Sequence, residues 1–256
     1  MIIDTHTHLY DAETVALQDE DIRRAIAAGV SKMYMPNCDS TTIDGMLEIA
    51  KRFPENCFAM MGLHPCYVKE NYKNELSIVE QHLNNNRFAG VGEIGLDFYW
   101  DKTFAAEQKL AFEQQIDWAI SYNLPIIIHS RSSTQECLDI VKRKQKGNLT
   151  AIFHCFSGTP QQAQCVADLG CYIGIGGVVT FKTSTLPEVL RAISLQNVVL
   201  ETDAPYLAPV PYRGKKNESA YLPLIATKIS EIYDVPLSEV EQVTTANAEK
   251  IFRLPD

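Results

Sequence analysis

The sequence predicts one α/β domain, residues 1–256, folded as a single (β/α)8 barrel of TIM type with a closing C-terminal helix. Three observations predict it. The 256 residues match the roughly 250 that such a barrel occupies as one domain. Short apolar runs alternate with helical patterns along the whole chain, which implies parallel pairing through βαβ units. Histidines and acids gather at the ends of those runs, the side on which barrels build their active sites. A doubly wound open sheet is the runner-up, but it usually carries a glycine-rich fingerprint after its first strand, and here that strand runs into His-Thr-His-Leu.

The strands are read at 2–8, 32–37, 57–63, 88–94, 124–130, 150–156, 171–175 and 197–203, each short and rich in β-branched, aromatic or small residues. Helices between them follow from 3.6-residue spacing. Ile43, Met46, Leu47 and Ala50 form one apolar stripe, Phe112, Ile116, Ala119 and Ile120 another, and Ala163, Val166 and Ala167 a third. Thr159-Pro160 reads as an N-cap followed by proline in the first turn. Ser238 with Glu241 reads as a capping box opening the closing helix.

Composition narrows the class. At 46% hydrophobic and 21% charged residues the chain is ordinary globular protein, which excludes disordered and fibrous classes. No apolar run approaches the roughly 20 residues of a membrane helix. The N-terminus has no basic stretch leading into a long apolar region, so the expected location is the cytoplasm. The seven cysteines are odd in number and lack a CxxC, so free thiols are expected, most of them as small core residues. A formal net charge of −9 argues against broad, charge-driven binding to nucleic acid. It leaves a phosphate substrate open, because bound cations can supply positive charge locally. No stable protein partner is predicted.

The chemistry lies in where the polar residues fall. His6 and His8 end the first strand, His64 follows the third, Glu93 lies near the end of the fourth, His129 ends the fifth, His154 sits late in the sixth and Asp203 closes the eighth. Residues two apart on a strand share a face, so His6 and His8 can hold one ion together. Asp203, on the strand beside the first, can join them. His129 and His154 on neighbouring strands can hold a second ion, and Glu93 can bridge the two. Two ions about 3.5–4 Å apart can activate a water and clamp both the attacking and the leaving oxygen, with Asp203 placed to take the water's proton. Taken singly, each residue has a blander reading: His82 is a solvated histidine, and Glu93 alone would be a buried acid with an unseen base. Four histidines and two acids together at strand ends resist that reading, since unpaired buried charges are costly.

These residues sit in motifs that resemble the TatD-like metal-dependent deoxyribonucleases of the wider amidohydrolase group. The matching stretches are Ile-Ile-Asp-Thr-His-Thr-His (2–8), Gly-Leu-His-Pro (62–65), Gly-Glu-Ile-Gly-Leu-Asp (92–97), Leu-Pro-Ile-Ile-Ile-His-Ser-Arg (124–131), His-Cys-Phe-Ser-Gly (154–158) and Leu-Glu-Thr-Asp-Ala-Pro-Tyr-Leu (200–207), with Arg213-Gly214-Lys215 and Asn247-Ala248 beyond. The resemblance implies two divalent ions per chain, of magnesium, manganese or zinc. It assigns His6, His8 and Asp203 to one, His129 and His154 to the other, and Glu93 between them. It implies hydrolysis of DNA phosphodiesters, as endonuclease or 3′–5′ exonuclease, with Asp203, Glu93 and His64 in the catalytic set and His64 toward the substrate phosphate. DNA as single strands or strand ends is the expected substrate. Three stretches depart from the family: Tyr10 where Asp or Asn is frequent, Ser132-Ser133-Thr134-Gln135, and Asn217-Glu218-Ser219.

Arg131, Arg213, Lys215 and Lys216 lie past strand ends, where a phosphate chain would meet them; Arg131 and Arg213 are read as substrate-binding, the lysines equally as a solvated loop. Tyr99 and Trp100 are read either as base-stacking rings or as packing. Gly174 to Gly177 is read as close packing, and Cys155 as pointing to the strand face opposite His154. Two further readings remain open: the same ions acting on a small-molecule amide, lactone or phosphoester, and a metal-bearing protein without catalysis.

Overall fold

A computed structural model of the chain describes residues 1–11 and 14–252. Eight parallel strands run in sequence order: β1 (Ile2–Asp4), β2 (Val30–Pro36), β3 (Cys57–Met60), β4 (Val91–Asp97), β5 (Ile126–Arg131), β6 (Ala151–Phe153), β7 (Tyr172–Ile175) and β8 (Val198–Leu200). The helices between them are α1 (Val15–Ala27), α2 (Ile43–Arg52), α3 (Tyr72–Asn85), α4 (Ala105–Tyr122), α5 (Thr134–Lys144), α6 (Pro160–Asp168) and α7 (Leu186–Arg191), with α8 (Leu222–Tyr233) and α9 (Leu237–Ile251) after β8.

Regular ladders join β1 to β3 and β4 to β8. Single backbone bonds complete the ring. Met61 N–H donates to Gly90 at 3.1 Å and Gly92 N–H to Met61 at 3.1 Å between β3 and β4; Thr5 N–H donates to Leu200 at 3.0 Å and Asp203 N–H to His6 at 2.9 Å between β8 and β1. The buried Asp4 carboxylate strengthens the second seam, accepting from Thr202 N–H at 3.0 Å and from the Thr202 hydroxyl at 2.6 Å.

Two cores follow from strand alternation. Outward-facing side chains such as Met33, Ile94 and Ile128 pack under the helices. Inward-facing ones, Ile3, Tyr34, Met60, Ile127, Ile152, Tyr172 and Val199, fill the barrel's interior at its N-terminal side. There α9 closes the barrel: Ala248, Ile251 and Phe252 join that layer, and the Phe252 ring stacks on Tyr34 at 3.8 Å between centroids. With its lower end plugged, the barrel can open only at the C-terminal ends of its strands.

Several boundaries differ from expectation. β4 lies three residues later than 88–94, so Glu93 sits in its first half and Asp97 at its end. The strand runs on through Gly95. This glycine permits a close approach to β5, since a Cβ there would lie 2.1 Å from the His129 carbonyl. β1, β6 and β8 stop earlier than expected, leaving His6, His8, His154 and Asp203 just past the strand ends. The cap at Thr159 forms as a full capping box with Gln162. The one expected at Ser238 does not form: α9 starts from Pro236, whose carbonyl already accepts from Glu239 N–H at 3.0 Å, placing Ser238 inside the first turn.

Candidate metal centre

The C-terminal mouth of the barrel holds a cavity of about 640 Å³ lined in part by His8, His64, Glu93, His129, His154 and Asp203. Glu93 is its hub, 2% exposed. One carboxylate oxygen, Oε2, lies 3.1 Å from His6 Nε2 and 3.6 Å from His8 Nε2. The other, Oε1, lies 2.8 Å from His129 Nδ1, 3.0 Å from His154 Nε2 and 3.3 Å from His64 Nε2. Asp203 Oδ1 faces the first group, 3.6 Å from His6 Nε2 and 3.5 Å from His8 Nε2. The backbone of Glu93 is fixed across the barrel, its N–H donating to Asn37 at 3.1 Å while Asn37 N–H donates to Gly92 at 3.0 Å.

Burial opposes ionisation of Glu93, yet the surrounding His154, His64 and His6 and the bond to His129 hold it well below the ordinary carboxylate range. Asp203 is likewise held low against burial, chiefly by its contact with His8. His6, buried and beside His154, is pushed below the ordinary imidazole value.

Hydrogen bonding identifies which nitrogens are bare. The Tyr10 hydroxyl donates to the Pro36 carbonyl at 2.5 Å, so its oxygen accepts the proton on His8 Nδ1 at 2.7 Å. Tyr10 thus keeps the Nδ1 proton in place and reserves Nε2 for the side of the Glu93 and Asp203 oxygens and of His6 Nε2, 3.2 Å away; without metal Asp203 and Cys38 favour a second proton there, and its loss bares the lone pair. His129 touches a carboxylate through each nitrogen, Glu93 through Nδ1 and Asp97 through Nε2, both at 2.8 Å. A neutral imidazole has one N–H for those two contacts, so lone pair meets lone pair at one of them. This convergence of acceptors needs a cation or extra protons among them. Imidazole nitrogen and carboxylate oxygen suit zinc and related divalent ions, and among the described residues three groups of side chains lie close enough to hold one: His6, His8 and Asp203; His6, Glu93 and His154; and, by distance alone, His64, Glu93 and His129. The residues present fit divalent metal.

His64 differs from its neighbours. Its Nδ1 accepts from Cys66 N–H at 3.0 Å, so the neutral ring carries its proton on Nε2 and offers a donor rather than a ligand lone pair. Burial keeps it neutral, below the ordinary imidazole value.

The structure brings together the six expected ligands and His64, and Arg131 stands at the cavity rim. Arg213 is not among the lining residues; its guanidinium lies over the Phe181 ring at 4.5 Å. Lys216 is tied to Asp21 at 2.7 Å. Two expectations about cysteine change. Of the seven free thiols only Cys57, Cys137 and Cys171 are buried, while Cys38, Cys66 and Cys155 line the cavity and Cys165 is exposed. Cys155 does not face away from His154, because the chain has already left β6 and turns at φ 43°; burial raises its thiol pKa and keeps it protonated.

Sequence reasoning missed three supports. Asp97 holds His129. Glu201, fully buried, lies 3.4 Å from His154 Nδ1 and accepts from Cys155 N–H at 2.5 Å. Tyr10, one of the departures from the family pattern, holds His8. Outer partners of this kind orient metal-ligating histidines; a carboxylate within two residues of a ligand on the same motif was the signal available for Glu201.

The chain is similar to known proteins along its whole length. The family model described as TatD related DNase matches residues 3–253. An uncharacterized metal-dependent hydrolase of Bacillus subtilis, YabD, is 34% identical over 255 residues, covering 99% of this chain and 100% of that protein. YcfH of Escherichia coli, also described as a metal-dependent hydrolase, is 30% identical over 258 residues, covering 99% and 96%. The crystal structure of YjjV, a TatD homolog from Escherichia coli, superimposes with a TM-score of 0.93 at 29% identity, covering 99% of this chain and 98% of that one.

Proposed function

The chain belongs to the TatD-related DNase family of metal-dependent hydrolases, and from that premise we propose that it cleaves DNA phosphodiesters, from the 3′ ends of single strands. The observation that carries this reading is the division of Glu93. Its two oxygens face two separate groups of nitrogen and oxygen donors inside a cavity with an exposed arginine at its rim.

Divalent ions, zinc, magnesium or manganese, held by His6, His8 and Asp203 and by Glu93, His129 and His154, would supply Lewis acidity that lowers the pKa of water and offsets phosphodiester charge. The chain's own groups do the rest. Asp203, ionised and 14% exposed at its side chain, accepts the proton of the attacking water. The new bond forms between water oxygen and phosphorus, the P–O bond to the 3′-oxygen of the shortened strand breaks, and that oxygen takes up a proton from solvent while Asp203 releases the one it accepted. His64 donates its Nε2 proton in a hydrogen bond to the phosphate as charge grows on it. Arg131 pairs with a neighbouring phosphate. The −9 net charge limits contact to the few phosphates at the cavity mouth, which suits a strand end rather than a long duplex.

The test is incubation of metal-loaded protein with end-labelled single-stranded DNA. Stepwise shortening from the 3′ end is expected. Absence of cleavage with magnesium, manganese, cobalt and zinc, each with occupancy measured, rejects the reading.

A further inference from the structure

Two large aromatic side chains stand in solvent beside the cavity: Tyr99 is 58% exposed and Trp100 is 68% exposed. They follow β4 directly, and their position is built rather than incidental. Asp97 Oδ1 accepts the backbone N–H of Tyr99 at 2.9 Å and of Trp100 at 3.1 Å, while its Oδ2 touches His129 Nε2 at 2.8 Å. One buried carboxylate thus fixes both a histidine of the metal centre and the two rings. The rings meet edge to face at 5.0 Å, and the Arg131 guanidinium lies over both, 4.1 Å from the Tyr99 centroid and 5.1 Å from that of Trp100. Among the described residues Arg131 enters no ion pair, and with Trp100 it lines the cavity.

We propose that Tyr99, Trp100 and Arg131 form a nucleobase-stacking subsite that receives a base of single-stranded DNA next to the phosphate being cleaved. This rests on the DNase reading above and deepens it. Exposing two such rings forfeits apolar burial, so packing does not explain them. An arginine already held over aromatic rings keeps N–H groups for a phosphate oxygen. Base, ring and guanidinium then make one stacked column leading into the cavity. Only an unstacked base can present its face, so duplex DNA is a poor occupant. Stacking is indifferent to base identity, so little sequence preference follows.

The chain has two tryptophans, and the other, Trp118, is 8% exposed with its indole N–H bonded to Glu80. Tryptophan fluorescence of the metal-loaded Trp118→Phe protein therefore reports on Trp100 alone. Titration with a four-residue phosphorothioate-linked thymidylate strand is expected to quench it to saturation, while an abasic strand of equal length and charge quenches it little. In steady-state cleavage, Trp100→Ala and Tyr99→Ala are each expected to shrink the KM preference for the base-bearing over the abasic strand by roughly 5- to 150-fold. Equal quenching by both strands, no quenching, or an unchanged KM preference overturns the subsite. Failure of the wild type to cleave any DNA counts instead against the DNase reading, and the quenching experiment still decides whether the rings bind bases.

Discussion

The Nδ1 of His8 lies 2.7 Å from the Tyr10 hydroxyl oxygen, whose own O–H donates to the Pro36 carbonyl. A neutral phenol thus holds the Nδ1 proton of His8 and reserves Nε2, facing Glu93 and Asp203, as the nitrogen that can give up its proton to a metal. Tyr10→Phe removes this acceptor and lets the ring protonate on either nitrogen. The expected result is a metal affinity lower by about 10- to 100-fold, read by competition with a chelating dye. An unchanged affinity would show that the ring is oriented by packing alone.

The fold was legible because it follows from periodicity, and the inner ring because its residues gather at the ends of the expected strands, although His6, His8, His154 and Asp203 lie just past the observed ones. Residues two apart share a strand face, which placed His6 with His8, and strand order placed Asp203 beside them. The outer supports were not legible for the same reason. Glu201 faces His154 from a neighbouring part of the barrel, and Asp97 reaches His129 across the β4–β5 ladder; neither distance is encoded in local spacing. Gly95 shows the limit most directly, since a glycine that breaks a strand and one that admits a neighbouring backbone look alike in sequence.

Gly174 tests the buried support at Glu201. A Cβ at Gly174 would lie 2.1 Å from Glu201 Oε2, whereas at Gly176 the nearest atom is 3.6 Å away, an ordinary contact. Gly174→Ala must displace a fully buried carboxylate that also accepts from Cys155 N–H. Its expected cost is about 1–3 kcal/mol, with weakened metal binding through His154. Gly176→Ala is expected to fold and bind metal nearly as the wild type does. Thermal melts and metal titration of the pair separate the two, and equal behaviour would remove Glu201 from the account.

Metal removal should have a pH signature of definite sign. Burial works against charge on His8 and His154, but Asp203 and Cys38 around the one, and Glu93 and Glu201 around the other, raise both well above the ordinary 6.5. Their contribution to the metal-free fold is complete below 6.5 and is lost as pH rises through the raised values. Glu93, held below its ordinary 4.5, contributes above that value and loses its contribution as pH falls through the lowered one. The share carried by His8, His154 and Glu93 is therefore greatest in mildly acidic solution, while His6 and His64, held below 6.5, contribute above that value and oppose it. Metal competes with the imidazole protons, so its stabilisation grows toward alkaline pH. At about 100 times Kd it should add about 2.7 kcal/mol, a Tm rise of roughly 5–10 °C. Melts with and without chelator at about pH 5.5 and about pH 8 check this, and a larger metal-induced rise at the acidic pH would contradict it.

Asp203 permits a substitution that isolates chemistry from backbone. It sits at φ 56°, in the left-handed region that asparagine tolerates nearly as well, and its N–H bond to His6 at 2.9 Å is independent of the side chain. Asp203→Asn keeps the shape and one oxygen, but an amide cannot accept the proton of an attacking water. With metal occupancy measured and restored to wild-type level by excess ion, kcat on single-stranded DNA is expected to fall about 10²- to 10⁴-fold, with KM changing far less. A fall in KM-dependent efficiency alone, at wild-type kcat, would mean that Asp203 holds charge in the cavity and that the proton leaves by another route.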